Sequence, residues 1–549
     1  MVLLAQGVLI YGHFMGHGVL TWLAFSIFLI AFLVLTHIHS RHMRQEKIYK
    51  CKERLGLKNA DRKMGEWVKF EDNGSEYVCG DHPHSRDLDL FGEASLFQHI
   101  NDTNTYHGKE ILKLLFLTHK RDKEAVLRRQ RAIKEIAKNH NFCENIKVIG
   151  GMSKNISHDP AEMIRFFENG KTLFPSIFAG VVVRMFPIII ALLVTVNLII
   201  GLNQALLIFT GIVVIAQVMI FVSISNKTEA VLKELGKFGS SLDDFGDMAG
   251  LIRQTEFSAD LNRSWQAKLP QKWNLRRMTW ALNARNITLL DLLLNILFLW
   301  DVHLVYALEN TRRKGAADMR TWLEAIGYFE AMASVAVLPQ LNPDWAYPEI
   351  SDNMSIKATN IGHPLIEEHD RVTNNLELDG IAIISGSNMS GKTTFLRTVG
   401  INMVLMYMGA PVCATSFTAP SASIWTCMKP PDNLKQSIST FYAELLRIKN
   451  IIENDEPMLF LIDEIFAGTN SEDRIEGAKQ VLLNLSKRQN LGIVTTHDLE
   501  VCKAGGFANH HFSEHYVGNE IHFDFKIKDG ISTTRNARHL MKMIGIDIK

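Results

Sequence analysis

The chain has 549 residues, 47% of them hydrophobic, enough to bury more than one core and to divide into three or four units. Its 59 basic and 58 acidic side chains leave a formal charge of +1, so no overall field draws it to nucleic acid, and contact with DNA has to come from local basic patches. Six scattered cysteines (Cys51, Cys79, Cys143, Cys413, Cys427 and Cys502) form no CxxC pair and no zinc spacing, which fits a reduced compartment and argues against zinc.

In chain order, the first element is apolar. Met1 to Ser40 contains no Lys, Arg, Asp or Glu, and Val19 to Ile38 is long enough for one helical membrane span. Arg41, Arg44, Lys47, Lys50, Lys52 and Arg54 follow, which keeps that flank in the cytoplasm. A cleaved signal peptide is the alternative, but the start carries no charge and no small-residue cleavage site follows. A second uncharged stretch, Met185 to Asn226, is divided by Gly201-Leu202-Asn203-Gln204 and predicts two helices, Phe186 to Ile200 and Ala205 to Ser223. A buried pair in a soluble core is the other reading. Each Leu, Ile, Val or Phe favours mid-bilayer by roughly 0.3–0.6 kcal/mol, so a dozen outweigh Arg184 at the interface and favour a transmembrane hairpin.

Residues 60 to 175 show helical periodicity, clearest around Ile111 to Phe116 and from Ala125 to Ile136. Lys120, Arg121, Arg128, Arg129 and Arg131 form a basic face, read as solvated or as a nucleic-acid contact. After the hairpin, residues 229 to 338 again read as helices, with apolar runs at Leu289 to Leu299 and Trp322 to Leu338, until Pro339, Pro343 and Pro348 mark a domain boundary. From Ile350 onward short apolar strands alternate with helices. Ile381 to Ile384, Leu459 to Ile462, Gly492 to Thr496 and Ile521 to Ile527 are the expected strands, and Thr394 to Met408 and Ala478 to Lys487 the expected helices. His510, His511 and His515 read as strand and loop packing.

The chemistry sits in this last region. Gly386-Ser387-Asn388-Met389-Ser390-Gly391-Lys392-Thr393 has the form GxxxxGK[ST] between a strand and a helix, so its backbone N–H groups and the helix start are expected to cradle phosphates. The run Gly386, Ser387, Asn388, Met389, Ser390, Gly391, Lys392, Thr393 and Thr394 is the expected ATP-binding segment, with Lys392 bridging the β- and γ-phosphates. Thr393 and Asp463 are the expected Mg²⁺ ligands. Glu464 is placed to polarise the attacking water, and His497, at the end of a buried strand, to sense the γ-phosphate.

These residues resemble the MutS ATPases of DNA mismatch repair. Gly386 to Arg397 is similar to GPNMGGKSTYLRQ, and Gly409-Ala410-Pro411-Val412 to its continuation. Ser439-Thr440-Phe441-Tyr442-Ala443-Glu444 is similar to STFxxE, Asp463 to Ser471 to DEIGRGTST, and His363-Pro364-Leu365-Ile366 to the HPL element. More weakly, Arg129 to Ile133 resembles RQxAI, and Trp322 to Ala336 the last lever helices. The resemblance implies an ABC-type ATPase that works as a homodimer, Ser439 of one subunit completing the site on Lys392 of the other. Asn388 would contact nucleotide and the Gly468 to Asp473 loop would signal across the interface. Ser387 and Ser390 depart from the family's Pro and Gly, and Arg474 stands where Gly is common. Phe91-Gly92-Glu93 lies in a core-like segment rather than a mismatch-reading domain, and the hairpin takes the place of the DNA clamp.

The expected architecture is a C-terminal α/β P-loop ATPase domain of ABC type (346–549), preceded by an all-α lever core (41–175 and 227–345) that a transmembrane hairpin (176–226) interrupts, with an N-terminal transmembrane anchor (1–40). The expected function is that of a multi-pass cell-membrane ATPase, its ATPase domain in the cytoplasm, using ATP and Mg²⁺ in a dimer and acting on mismatched or branched double-stranded DNA. The alternative is a membrane-bound switch for a protein or lipid partner. An ABC transporter subunit is a third reading, weakened by too few spans and by a signature unlike LSGGQ.

Overall fold

The computed structural model describes residues 18–532, apart from 80–81, 118–121, 154–155, 171, 175–176, 202, 271–278, 280, 283–284, 286–287, 316–317, 388, 429–439, 467–469 and 518–519. The chain divides into two compact units, Met1–Ala60 and Asp61–Lys549. The first holds α1 (Gly18–Lys63) up to Ala60, and this helix continues without a break from the apolar run into the charged one. Most side chains of the expected span Val19 to Ile38 lie outside the described residues.

In the second unit, helices from both sides of the apolar hairpin build one body. Before it come α2 (Tyr106–Leu117), α3 (Lys123–Lys138), α4 (His140–Met152) and α5 (Ala161–Asn169). The hairpin is α6 (Ile177–Ile200) and α7 (Gln204–Lys237), followed by α8 (Gly239–Gln254), α9 (Thr288–Phe298), α10 (Trp300–Gly315) and α11 (Met319–Val335). α11 is the axis of this body, buried along nearly its whole length and packed on α2, α3, α4, α5 and α8. Its crossing with α2 is so close that a Cβ on Gly327 would lie 2.6 Å from the His107 carbonyl carbon. Glu330, fully buried on α11, accepts from the N–H of Asn104 (2.7 Å) and Thr105 (2.9 Å), and so caps the start of α2. One turn further, Ser334 bonds Asp102 N–H and Ile100 O, while the Asp102 carboxylate holds buried Arg62 (2.6 Å) and Lys147 (2.8 Å).

The hairpin helices are longer than expected. α6 begins at Ile177, before Arg184, and α7 runs past the apolar stretch to Lys237. Gly201 supplies the left-handed turn residue (φ +81°), and Asn203 caps α7 by accepting from Ala205 and Leu206 N–H. Among the described residues, Gln204–Lys237 is the one helix long and apolar enough to cross a membrane by length and composition, and Val183–Asn197 is a shorter apolar run. The expected count of three spans is therefore not reproduced there. In α6, Arg184 and the in-helix Pro187 lie at the start of the apolar run.

The α/β part holds two sheets. The larger has the order β10-β9-β4-β8-β7-β6 and the smaller β1-β5-β2-β3. The strands are β1 (Glu349–Ser351), β2 (Ile356–Ile361), β3 (Asn374–Leu378), β4 (Ile381–Ser385), β5 (Ser416–Pro420), β6 (Ser423–Cys427), β7 (Met458–Ile462), β8 (Leu491–Thr496), β9 (Ala508–Val517) and β10 (Glu520–Asp529). β4, β7 and β8, the continuous apolar runs legible in the sequence, are buried at every residue and pair in parallel, as central strands covered on both faces must. Among the described residues three helices of more than one turn accompany them, α12 (Lys392–Met408), α13 (Thr440–Glu453) and α14 (Ser471–Ser486), with a single turn at Leu499–Cys502. α14 starts seven residues before the expected Ala478, because Asn470 caps it through Asp473 N–H and Glu472 and Asp473 fill its first turn; those charged turns hid it from an apolar-periodicity reading. The expected late strand, Ile521 to Ile527, lies within β10, which pairs antiparallel with β9; His510, His511 and His515 are β9 residues.

Candidate functional site

β4 is flanked by β8 and β9, both parallel to it, so the loops after β4, β7 and β8 emerge at one edge of the sheet. The loop after β4 turns on Gly386 (φ +148°), where a Cβ would sit 2.8 Å from the Phe512 carbonyl, and on Gly391 (φ +103°), the residue before α12. Met389, at φ +66°, projects its side chain into solvent, while Ser390 is buried with a hydroxyl that has no protein partner. Ser387 Oγ donates to Glu514 at 2.8 Å, tying the loop to β9. Asn388 lies outside the described residues.

Lys392 opens α12 and is buried. Its ammonium turns back into the loop, donating to the carbonyls of Ser387 (2.7 Å) and Gly386 (3.0 Å), with His497 Nε2 3.5 Å away. Thr393 Oγ1 donates to Asp463 Oδ2 at 2.7 Å, and Thr495 Oγ1 donates to the other oxygen of the same carboxylate at 2.6 Å. Asp463 is held further by its own N–H, which donates to Cys427 O, so the end of β7 is clamped between β6 and β8. The next residue, Glu464, has left-handed backbone (φ +53°), its N–H donates to Thr495 Oγ1, and its carboxylate lies 2.7 Å from His497 Nε2. Thr394 stands exposed on the first turn of α12 and lines the cleft with Lys392 and Thr393.

These groups border a cleft of about 330 Å³ that extends from the loop toward His363, Asn374, Phe512 and Phe525. Burial, with Arg397 and Arg371 adding to it, pushes the His363 imidazole down to about 4, so it is neutral near pH 7, and its Nδ1 accepts from Leu365 N–H. Thr393 and Asp463, the pair expected to ligate a divalent cation, lie in hydrogen-bond contact here and would offer it two oxygens. Among the described residues no group of three or more His, Cys, Asp and Glu could hold a metal. Two protein oxygens completed by phosphate and water suit Mg²⁺.

Residues 382–547 match the family described as MutS domain V. The DNA mismatch repair protein MutS of Persephonella marina is 29% identical over 235 residues, covering 41% of this chain and 27% of the relative. MutS protein homolog 4 of Mus musculus is 31% identical over 212 residues (35% and 22%), and Endonuclease MutS2 of Streptococcus thermophilus 29% over 213 residues (36% and 26%). The C-terminal part of the chain, residues 382–547, is thus a MutS domain V. The chain spans about a quarter of the length of these relatives.

Within this MutS domain the structure gathers Gly386, Ser387, Gly391, Lys392, Thr393, Asp463, Glu464 and His497 at one edge of the sheet. It says nothing of Ser439 or of 467–469, which lie outside the described residues. Glu444, from the stretch similar to STFxxE, accepts from Phe466 N–H at 2.6 Å and so links α13 to the loop after β7. Arg474, the departure from the family's Gly, pairs with Asp498 (2.6 and 3.1 Å), fastening α14 to the segment after His497. Two functional candidates escaped the sequence reading. Thr495 bridges Asp463 and Glu464, and its signal was the polar Thr495-Thr496 pair ending a buried strand. Phe525 sits where the β9–β10 register shifts, at φ +50°, its ring beside Gly391 and its backbone held by Asn374. The alternation Phe523, Phe525, Ile527 marks a strand but gives no sign of a cleft.

Proposed function

We propose that this protein is a membrane-anchored MutS-type ATPase that binds and hydrolyses ATP with Mg²⁺ in a homodimer. The observation that carries the reading is the convergence of Lys392, the Thr393–Asp463 pair and the Glu464–His497 pair on one glycine loop at the carboxyl edge of the sheet. Lys392 and the loop N–H groups hold phosphate oxygens, and Thr393 and Asp463 hold Mg²⁺, which supplies neutralisation of phosphate charge. Glu464 takes the proton of the attacking water, while His497 fixes its carboxylate. Dimer closure, with Ser439 of a second copy completing the site, follows from the family resemblance, as does double-stranded DNA, mismatched or branched, as the partner.

The alternative, an ATP-driven switch acting on a protein or lipid partner at the cell membrane, draws support from the hairpin. Ile188, Leu192, Ile199, Ile212 and Met219 are each more than half exposed, a surface suited to lipid. With the hairpin in the bilayer, Lys227, Lys233 and Lys237 keep the ATPase domain in the cytoplasm.

Lys392→Ala should abolish nucleotide binding in an equilibrium titration, and unchanged affinity would remove the site. Glu464→Gln should bind ATP yet lose at least about a hundredfold in turnover. Filter binding to duplex, mismatched and branched DNA at two salt concentrations, with and without ATP, separates the two readings: salt-sensitive, structure-selective retention supports DNA, and no retention supports the switch.

A further inference from the structure

The apolar hairpin carries two polar side chains that are hidden although their helices are exposed. Asn197 is 4% exposed and donates to Thr210 Oγ1 across the hairpin (3.2 Å), clasping α6 to α7. Gln217, 1% exposed on α7, reaches a different element. Its amide donates to Ile296 O (2.6 Å) and Leu297 O (3.1 Å), the last-turn carbonyls of α9. α9 ends there, because Leu299 takes left-handed backbone (φ +49°) and the chain turns into α10.

Water ordinarily satisfies the last carbonyls of a helix. A buried amide given over to them, from a helix whose neighbouring surface is Ile212, Ile215 and Met219, is the arrangement needed where water does not reach. The faces of α9 agree with this. Asp291 and Asn295 turn toward Arg285 and Asp301: Arg285 lies 3.4 Å from Asp291 and 2.9 Å from Asp301, and Asn295 accepts from Asp301 N–H at 2.9 Å. Leu292, Leu297 and Phe298 are about half exposed. Polar groups inward and leucines outward is the reverse of a water-facing helix.

Lengths match as well. Eleven residues of α9 extend about 16 Å, too short for a bilayer core of about 30 Å but suited to one leaflet. Gln217 stands about 15 Å along α7 from Lys227, the first charge after the span. We propose that α9 is a third membrane-embedded element, a short re-entrant helix inserted among the acyl chains of the cytoplasmic leaflet beside the hairpin, with Gln217 sealing its carbonyl end. This rests on the membrane reading of the hairpin.

The test uses the full-length protein in phosphatidylcholine–phosphatidylglycerol vesicles that contain a phospholipid with a photoactivatable diazirine in its acyl chain, with adducts located by mass spectrometry. Adducts are expected within 288–298 as well as within 185–226. Labelled 185–226 with unlabelled 288–298 overturns the proposal while leaving the hairpin in the membrane; labelling of neither overturns the membrane reading itself. Leu297→Glu, at an exposed position, should lower labelling of 288–298 several-fold with hairpin labelling kept, and unchanged labelling would speak against insertion.

Discussion

His363 shows how a residue in the cleft couples to acidity. Its imidazole is neutral when folded and would take up a proton near 6.5 when unfolded, so the unfolded state binds more protons between those values. Stability is therefore complete above about pH 6.5 and falls as pH drops toward 4, by roughly 3 kcal/mol at the limit. Buried His99, pushed down to about 3 by burial, adds a loss of the same sign. Thermal melts of the wild type from pH 7 to pH 4 should shift downward, and His363→Gln should flatten that slope; an unchanged slope would place the acid sensitivity elsewhere. Phe525 offers a second residue-scale prediction. Its ring borders the cleft beside Gly391, so Phe525→Ala should weaken ATP binding roughly two- to tenfold, the worth of an aromatic contact, in a titration with fluorescent nucleotide. Equal affinity would take the ring out of the site. The difference in legibility between the two kinds of residue has a physical cause. Asp463 and Glu464 follow a buried strand directly, Lys392 and Thr393 follow one across the glycine loop 386–391, and local sequence order fixes their place. Phe525 and Thr495 gain their roles only once β9, β10 and β8 are paired, which is a property of register that no local spacing encodes.

At the scale of elements, one connection between helical body and sheet, beside the packing of α12 on α2 and α3, is a short irregular segment. Asp87 accepts from Thr426 Oγ1 (2.8 Å), Met428 N–H (3.0 Å) and Arg447 (3.1 Å), and Thr426 N–H donates to Pro83 O. It thereby joins the end of β6 and α13, the two elements that bracket 429–439, to a segment whose Leu88 and Leu90 are fully buried. Asp87→Ala strands the buried Met428 N–H, while Thr426 Oγ1 keeps Pro83 O as an acceptor, so the unfolding midpoint should fall by an amount worth about 1–3 kcal/mol, with Asp87→Asn in between. A wild-type midpoint would mean the three donors find other partners. The sequence marked the segment around Phe91 as core-like, but not this anchoring, since donors more than 300 residues away supply it. Strands were legible in the same uneven way. β4, β7 and β8 stand out as unbroken apolar runs, whereas β2 and β3 alternate buried and exposed residues over short lengths, and β6, with Trp425 and Thr426, has too mixed a composition to separate from a loop.

For the whole molecule the question is how the apolar segments sit against solvent. α10 packs on both hairpin helices: Arg184 lies over the Tyr306 ring and within hydrogen-bond distance of His303, and a Cβ on Gly180 would meet the same Tyr306. The hairpin is thus fastened at its foot to the helical body, with exposed Ile, Leu and Met beyond that point. If that outer part and Val19 to Ile38 both enter lipid, removing either alone leaves an anchor. Deleting Met185 to Asn226 should leave the protein dependent on detergent, and only removal of both segments should release the C-terminal MutS domain into buffer with nucleotide binding intact, judged by sedimentation and by nucleotide titration of the supernatant. The double deletion also removes Gln217 from the end of α9, so Leu292, Leu297 and Phe298 would face water; substituting them with Glu and Lys guards against aggregation from that face. Full-length protein that stays monodisperse without detergent would end the membrane reading, and the exposed hairpin would then have to be covered by protein.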